Sequence, residues 1–130
     1  MPWVEIFAVF IVSHLVGDFL LQTDVQAIHK RGGLGAHGEH TRGLVSHTIT
    51  YTLAFVPALI WLSTDIGAWA IGVALLIGLP HMIQDDGRLL DIYMRRVKGT
   101  EPVPGSGLLI AVDQAFHVLV LFLLALLAGS

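Results

Sequence analysis

Leu108-Leu-Ile-Ala-Val-Asp113-Gln-Ala-Phe-His117-Val-Leu-Val-Leu-Phe-Leu-Leu-Ala-Leu-Leu-Ala128 decides the fold. About 20 mostly apolar residues suffice to cross the hydrocarbon core of a bilayer as a helix. This stretch reaches that length with one charged residue, Asp113. It is too long for a strand and shows no apolar/polar alternation. Working outward, three further stretches read the same way: about 3–21, 44–63 and 67–86. The second contains no Asp, Glu, Lys or Arg, and the third is free of them until Asp85. Pro57 and Pro80 fall inside spans, as membrane helices tolerate, and Pro80 is expected to kink the third. Mean hydropathy is +0.76. Charged residues make up 13% of the 130, about half the share of a soluble domain. The sequence therefore predicts an all-α, polytopic membrane four-helix bundle spanning 1–130 as one domain.

The seven Lys and Arg residues all fall in two connections, 24–43 and 87–107. The positive-inside rule places both in the cytoplasm, so the N and C termini are expected to be extracytoplasmic. Trp3, Trp61 and Trp69 fall near the outer ends of spans, where an aromatic belt is expected. The start of the chain lacks the basic residues and cleavage site of a signal peptide, so the first span is expected to be retained. There is no cysteine, which excludes disulfides and thiolate metal ligands.

Polar residues inside spans are functional candidates by default. They are His14 and Asp18 on the first helix, His47 on the second, His81 and Asp85 on the third, and Asp113 and His117 on the fourth. Each His/Asp pair is four residues apart, so its members share a face, about 6 Å apart along the axis. The order within the pairs follows helix direction. The first and third spans read His-x-x-x-Asp inward, and the fourth reads Asp-x-x-x-His outward. Antiparallel packing then gathers His14, His81 and His117 in one layer and Asp18, Asp85 and Asp113 in another nearer the cytoplasm. His47 is level with the aspartates and, having no partner on its own helix, is the residue expected to stand apart if any does.

A carboxylate at the centre of a span costs about 2.5–3.5 kcal/mol, and a bound cation would offset much of it. Imidazole with carboxylate suits zinc first, with manganese or iron as the other choices. Seven candidate ligands exceed one tetrahedral ion and suit two ions with a bridging aspartate and an open position. A hydrogen-bonded His–Asp scaffold and a proton relay are the competing readings. The loop histidines His29, His37 and His40 offer a second metal site in the first connection, although such residues are more often simply solvated.

His14-Leu-Val-Gly-Asp18-Phe-Leu-Leu-Gln22, Lys30-Arg31, His47 with Tyr51, His81-x-x-x-Asp85 and Asp113-Gln114-x-x-His117 together resemble a bacterial membrane family, domain of unknown function 3307. The resemblance covers nearly the whole chain. It implies a multi-pass protein of the plasma (inner) membrane of a prokaryote and names no activity. More loosely, the His/Asp pattern is similar to that of membrane-bound metal-dependent hydrolases. The expected function is a metal-dependent hydrolase acting on a lipid-like or phosphorylated substrate at the cytoplasmic face. Metal-activated water would be the nucleophile, Asp18 or Asp113 the base, and Arg88, three residues beyond Asp85, the group holding a substrate anion. The alternative is a non-enzymatic metal or proton carrier, or a structural subunit of a complex. The expected partners are the bilayer and an anionic or lipid-like molecule. Nothing points to nucleic acid, and the oligomeric state is not encoded in any feature of the sequence.

Overall fold

The computed structural model describes residues 1–35 and 37–129. Among them every regular element is helical. α1 (Trp3–Leu15) continues into a π-helical turn, Val16–Leu20. α2 (Asp24–His29), α3 (Glu39–Ala54), α4 (Val56–Ile66), α5 (Trp69–Asp86), α6 (Arg88–Arg96) and α7 (Gly107–Ala128) follow. α1 packs on α7, α3 on α5, and α5 on both α4 and α7.

Among the described residues, two helical stretches are long and apolar enough to cross a membrane, Trp3–Leu20 and Gly107–Ala128. The expected second span is bent: α3 and α4 meet at 54°, and only taken as one broken span do they make a third crossing. The bend has a local cause. Pro57, in the first turn of α4, lacks the N–H that would bond the Leu53 carbonyl. The expected third span is a single helix, Trp69–Asp86, which continues through Pro80. Its last turn carries Gln84, Asp85 and Asp86, so it is not apolar enough to count as a crossing by itself.

Apolar side chains point both ways, as lipid in place of water permits. Ile6, Phe10, Tyr51, Phe55, Leu62, Ile77, Leu121 and Ala125 fill a common core. Val12, Leu20, Ile71, Leu123 and Leu127 face outward. The Met1 ammonium pairs with Asp65, and a Cβ on Gly129 would meet the backbone of Trp3 at 2.7 Å. Both ends of the chain therefore lie together with the α4–α5 turn. Lys30 and Arg31 lie at the opposite end, against Asp85 and Asp91.

The two basic connections contain helices that hydropathy alone did not predict. α2 opens with a capping box, in which Gln26 N–H donates to Thr23 Oγ1 at 3.2 Å and Thr23 N–H to Gln26 Oε1 at 3.0 Å. Gln26 Nε2 also donates to Ser46 Oγ, 3.2 Å, fastening α2 to α3. α6 is amphipathic: Leu90 and Met94 bury against Leu109, with Tyr93 and Phe116 edge to face, their ring centroids 4.9 Å apart. Gly87 makes the corner between α5 and α6 at φ 83°, a backbone conformation that glycine adopts without strain.

Candidate metal centre

The π turn carries Asp18 to α3. π turns insert a residue into a helix and recur at functional sites. Here the turn brings Gly17 so near α3 that a Cβ would stand 2.7 Å from Tyr51 Cδ2. With Gly17 seated, Asp18 Oδ1 reaches His47 Nε2 at 3.1 Å.

Four atoms then converge: Asp18 Oδ1, His47 Nε2, His81 Nε2 and Asp85 Oδ2. His47 Nε2 lies 3.0 Å from Asp85 Oδ2 and 3.1 Å from His81 Nε2. His81 Nε2 lies 3.0 Å from Asp85 Oδ2 and 3.5 Å from Asp18 Oδ1. Ligands about 2.0–2.2 Å from a tetrahedral ion stand about 3.3–3.6 Å from one another. The five observed separations, 3.0–3.5 Å, lie close to that range. A hydrogen-bond network explains them less well, because two imidazole nitrogens face each other and the same two carboxylates. Nδ1 of His47 and of His81 are both buried without a partner among the described residues.

A second group consists of Asp85, Asp113 and His117. Asp85 is common to both: Oδ2 faces His47 and His81, and Oδ1 faces His117 Nε2 at 3.2 Å. His117 Nδ1 donates to its own turn's Asp113 carbonyl at 2.7 Å. In the neutral ring that bond leaves Nε2 as a bare lone pair. Nε2 and Asp85 Oδ1 are thus two buried acceptors face to face, neither with a hydrogen-bond partner among the described residues. A proton on Nε2 would satisfy them as an ion pair at 3.2 Å, and a cation held between them would satisfy them equally.

Of the seven residues singled out from the sequence, six furnish these two groups. His47, expected as the outlier, sits at the centre of the first. His14 stands outside both, because each of its nitrogens is engaged: Nδ1 with Tyr51 Oη at 2.9 Å and Nε2 with Gln114 Oε1 at 2.8 Å. Gln114 Oε1 can only accept, so His14 carries its proton on Nε2 and Tyr51 donates to Nδ1. Gln114 Nε2 in turn donates to Asp18 Oδ2 at 3.3 Å and to Asp113 Oδ2 at 3.5 Å. The chain Tyr51–His14–Gln114 therefore ends on a carboxylate of each group. Tyr51 also stacks on His81, its ring centroid 3.4 Å away. Gln114 and Tyr51 were not among the expected site residues, although each lies beside a quoted motif residue. Tyr51 is one turn past His47, and Gln114 adjoins Asp113.

Arg88 does not overhang the site. Its side chain is 59% exposed, and Nε donates to Asp86 Oδ2 at 2.7 Å. The cation over the centre is Lys30, 17% exposed, whose Nζ donates to Asp85 Oδ2 at 3.2 Å. Two bonds to Asp86 place it there: Gly32 N–H to the Asp86 carbonyl, 2.8 Å, and Leu34 N–H to Oδ1, 2.9 Å. Lys30, Arg31, Gln22, Asp18, Asp85 and Asp113 line a cleft of about 480 Å³ at this end of the helices. The loop histidines form no comparable cluster among the described residues. His29 and His40 bond backbone carbonyls, of Val25 and His29 respectively.

Residues 6–129 match the model of a family described as Protein of unknown function (DUF3307). No curated protein and no solved structure matches the chain.

Proposed function

Because the chain belongs to the DUF3307 family, whose description carries no activity, we propose a function from the centre itself: a membrane-embedded hydrolase dependent on two divalent metal ions. Zinc is the first choice, and manganese and iron fit the same donors. The observation that carries this reading is Asp85, which turns one carboxylate oxygen to His47 and His81 and the other to His117 and so joins both groups. The spacing around His47 and His81 supports the first ion position.

Bound divalent ions would acidify water and polarise a phosphoryl or carbonyl oxygen. The chain's own residues divide the remaining work. Asp18 has Oδ2 held by Gln114 Nε2, which leaves Oδ1, turned toward His47 and His81, to serve as ligand. Asp113 keeps 22% of its side chain exposed and lines the cleft, which suits it to take a proton from water. Gln114 holds Asp18 and Asp113 at a fixed separation. The cleft lies at the end bearing Lys30 and Arg31, the cytoplasmic end by the positive-inside rule, with both termini outside in the plasma membrane of a prokaryote. A lipid-like or phosphorylated substrate would reach it from the inner leaflet.

A carrier is the rival reading, and it needs a path to both faces. Beyond Tyr51 the bundle is closed by Phe10, Phe55, Ile77 and Leu121, which favours a one-sided site. The test is elemental analysis of the protein purified in neutral detergent, with melting before and after chelation. Two ions per chain and a lower melting temperature on chelation are expected. No metal and no response would leave a hydrogen-bonded scaffold in its place.

A further inference from the structure

A second cleft, about 330 Å³, lies between α6 and α7 and is walled by Leu89, Leu90, Tyr93 and Phe116. It shares Gln84, Leu90 and Asp113 with the cleft over the centre. The two clefts thus adjoin along Gln84, Leu90 and Asp113. One end of the paired clefts is apolar. The other carries Lys30, Arg31 and the amide of Gln22, whose Oε1 is buried without a partner among the described residues.

Charge supplies a second constraint. Asp18, Asp85 and Asp113 leave two divalent ions with one positive charge in excess, and Lys30 raises the excess to two. A buried excess of that size is unstable without a counter-anion. A phosphate monoester carries close to two negative charges at neutral pH, and Lys30 is a point-charge donor suited to it.

From these observations the geometry points to a lipid phosphate monoester as the substrate, its phosphate over the two-ion centre beside Lys30 and its chain in the α6–α7 cleft. The charge argument rests on the two-metal reading above, whereas the apolar cleft does not. Hydrolysis would form a bond from phosphorus to a water oxygen and break the phosphorus–oxygen bond to the lipid alcohol. The proton Asp113 takes from water would pass to the departing alkoxide, releasing inorganic phosphate.

Leu89 forms the outer wall of the apolar cleft and is 61% exposed, so Leu89→Trp can block it without disturbing the core. The probes are inorganic phosphate, hexyl phosphate, dodecyl phosphate and uncharged dodecanol. Affinities are measured for protein equilibrated with zinc at one fixed concentration of neutral detergent, so that micelle partitioning cancels between variants. Burying a methylene is worth about fourfold in affinity. Leu89→Trp should therefore weaken dodecyl phosphate by about tenfold or more, hexyl phosphate less, and inorganic phosphate not at all. Lys30→Gln should weaken all three phosphates by about tenfold, the worth of a charge-assisted hydrogen bond, and leave dodecanol unchanged. Dodecanol binding wild type as tightly as dodecyl phosphate would overturn the proposal, since the cleft would then hold bilayer lipid at large. Equal loss of every probe in Leu89→Trp would overturn it too. Metal content measured on the same samples separates the two readings. Metal-free protein that keeps the chain-length and Lys30 effects sinks the metal centre and supports the lipid phosphate. Metal-loaded protein without those effects does the reverse.

Discussion

Replacing Asp85 by asparagine reaches both proposed ion positions at once, because Asp85 turns one oxygen to His47 and His81 and the other to His117. Asparagine keeps the volume but offers one neutral oxygen, and its NH₂ would face either an imidazole or a cation. Two losses must be kept apart. The first belongs to the protein without metal. Lys30 loses its partner, and His47 and His81 lose a facing carboxylate oxygen, and breaking such a buried network costs about 3–5 kcal/mol. The second belongs to the ions. A ligand that binds only the folded state adds RT ln(1 + [L]/Kd), about 4 kcal/mol at a free concentration of 1,000 Kd. For a chain of this size 1 kcal/mol moves the melting temperature by roughly 3–5 °C. Losing one ion should therefore lower it by roughly 12–20 °C, and losing both by more.

A drop in the stability of Asp85→Asn decides nothing, since either loss produces it. What decides is the coupling between substitution and chelation. Wild type should fall by more than about 12 °C when chelator is added, and Asp85→Asn by less than about 5 °C, because it has little metal left to lose. Melting can be followed by the fluorescence of Trp3, Trp61 and Trp69, with metal counted by mass spectrometry on the same samples. If wild type ignores chelator and carries no metal, while Asp85→Asn is equally destabilised with and without it, the centre is a hydrogen-bonded scaffold and the two-ion reading fails.

His14→Gln should retain both ions, since His14 belongs to neither group, whereas His81→Gln should retain one; elemental analysis of the two variants compares them directly. Gly17→Ala should destabilise by about 1–3 kcal/mol through overpacking against Tyr51, while Gly72→Ala, where a Cβ meets nothing within 4 Å, should be neutral or stabilising by thermal melting. Reporter fusions at Gly129 should be active only outside the cytoplasm, and a fusion at Gly99 only inside; the opposite pattern would invert the orientation of the site.

The part of this centre legible in the sequence is the part encoded by helical period and helix direction. Residues four apart share a face, and a pattern that reverses with chain direction must align in depth. Those two rules bring together Asp18, His81, Asp85, Asp113 and His117, but they also include His14, which stands outside both groups, and they give His47 no partner although it joins the first. They fail where the backbone leaves the α-helix. The spacing from Asp85 to Arg88 implied one continuous face, but Gly87 at φ 83° ends α5 between them, and Arg88 turns to Asp86. Lys30 takes the place expected for Arg88 through a contact between residues 55 apart in the chain. No local pattern encodes that contact. Its basis is the docking of two loop N–H groups on Asp86, which a reading by hydropathy counts only as another acid. The π turn is hidden for a similar reason: its i→i+5 bonding has no composition of its own, and Gly17 is its one visible trace.

Gln114 shows a different limit. A search for ionisable residues passes over a neutral amide, yet the physics of the site calls for one. Asp18 and Asp113 need donors, and on the two-ion reading a lysine or arginine in that position would add a charge that competes with the cations. An amide supplies two N–H bonds at no net charge, and its oxygen is left to accept from His14. That acceptance fixes the His14 tautomer and hence the direction of the bond from Tyr51, which is itself stacked on His81. One amide thus sets the orientation of a ligand in each group and of the aromatic ring beneath a third. When carboxylates crowd a buried site, the neutral donors beside them are as informative as the charges.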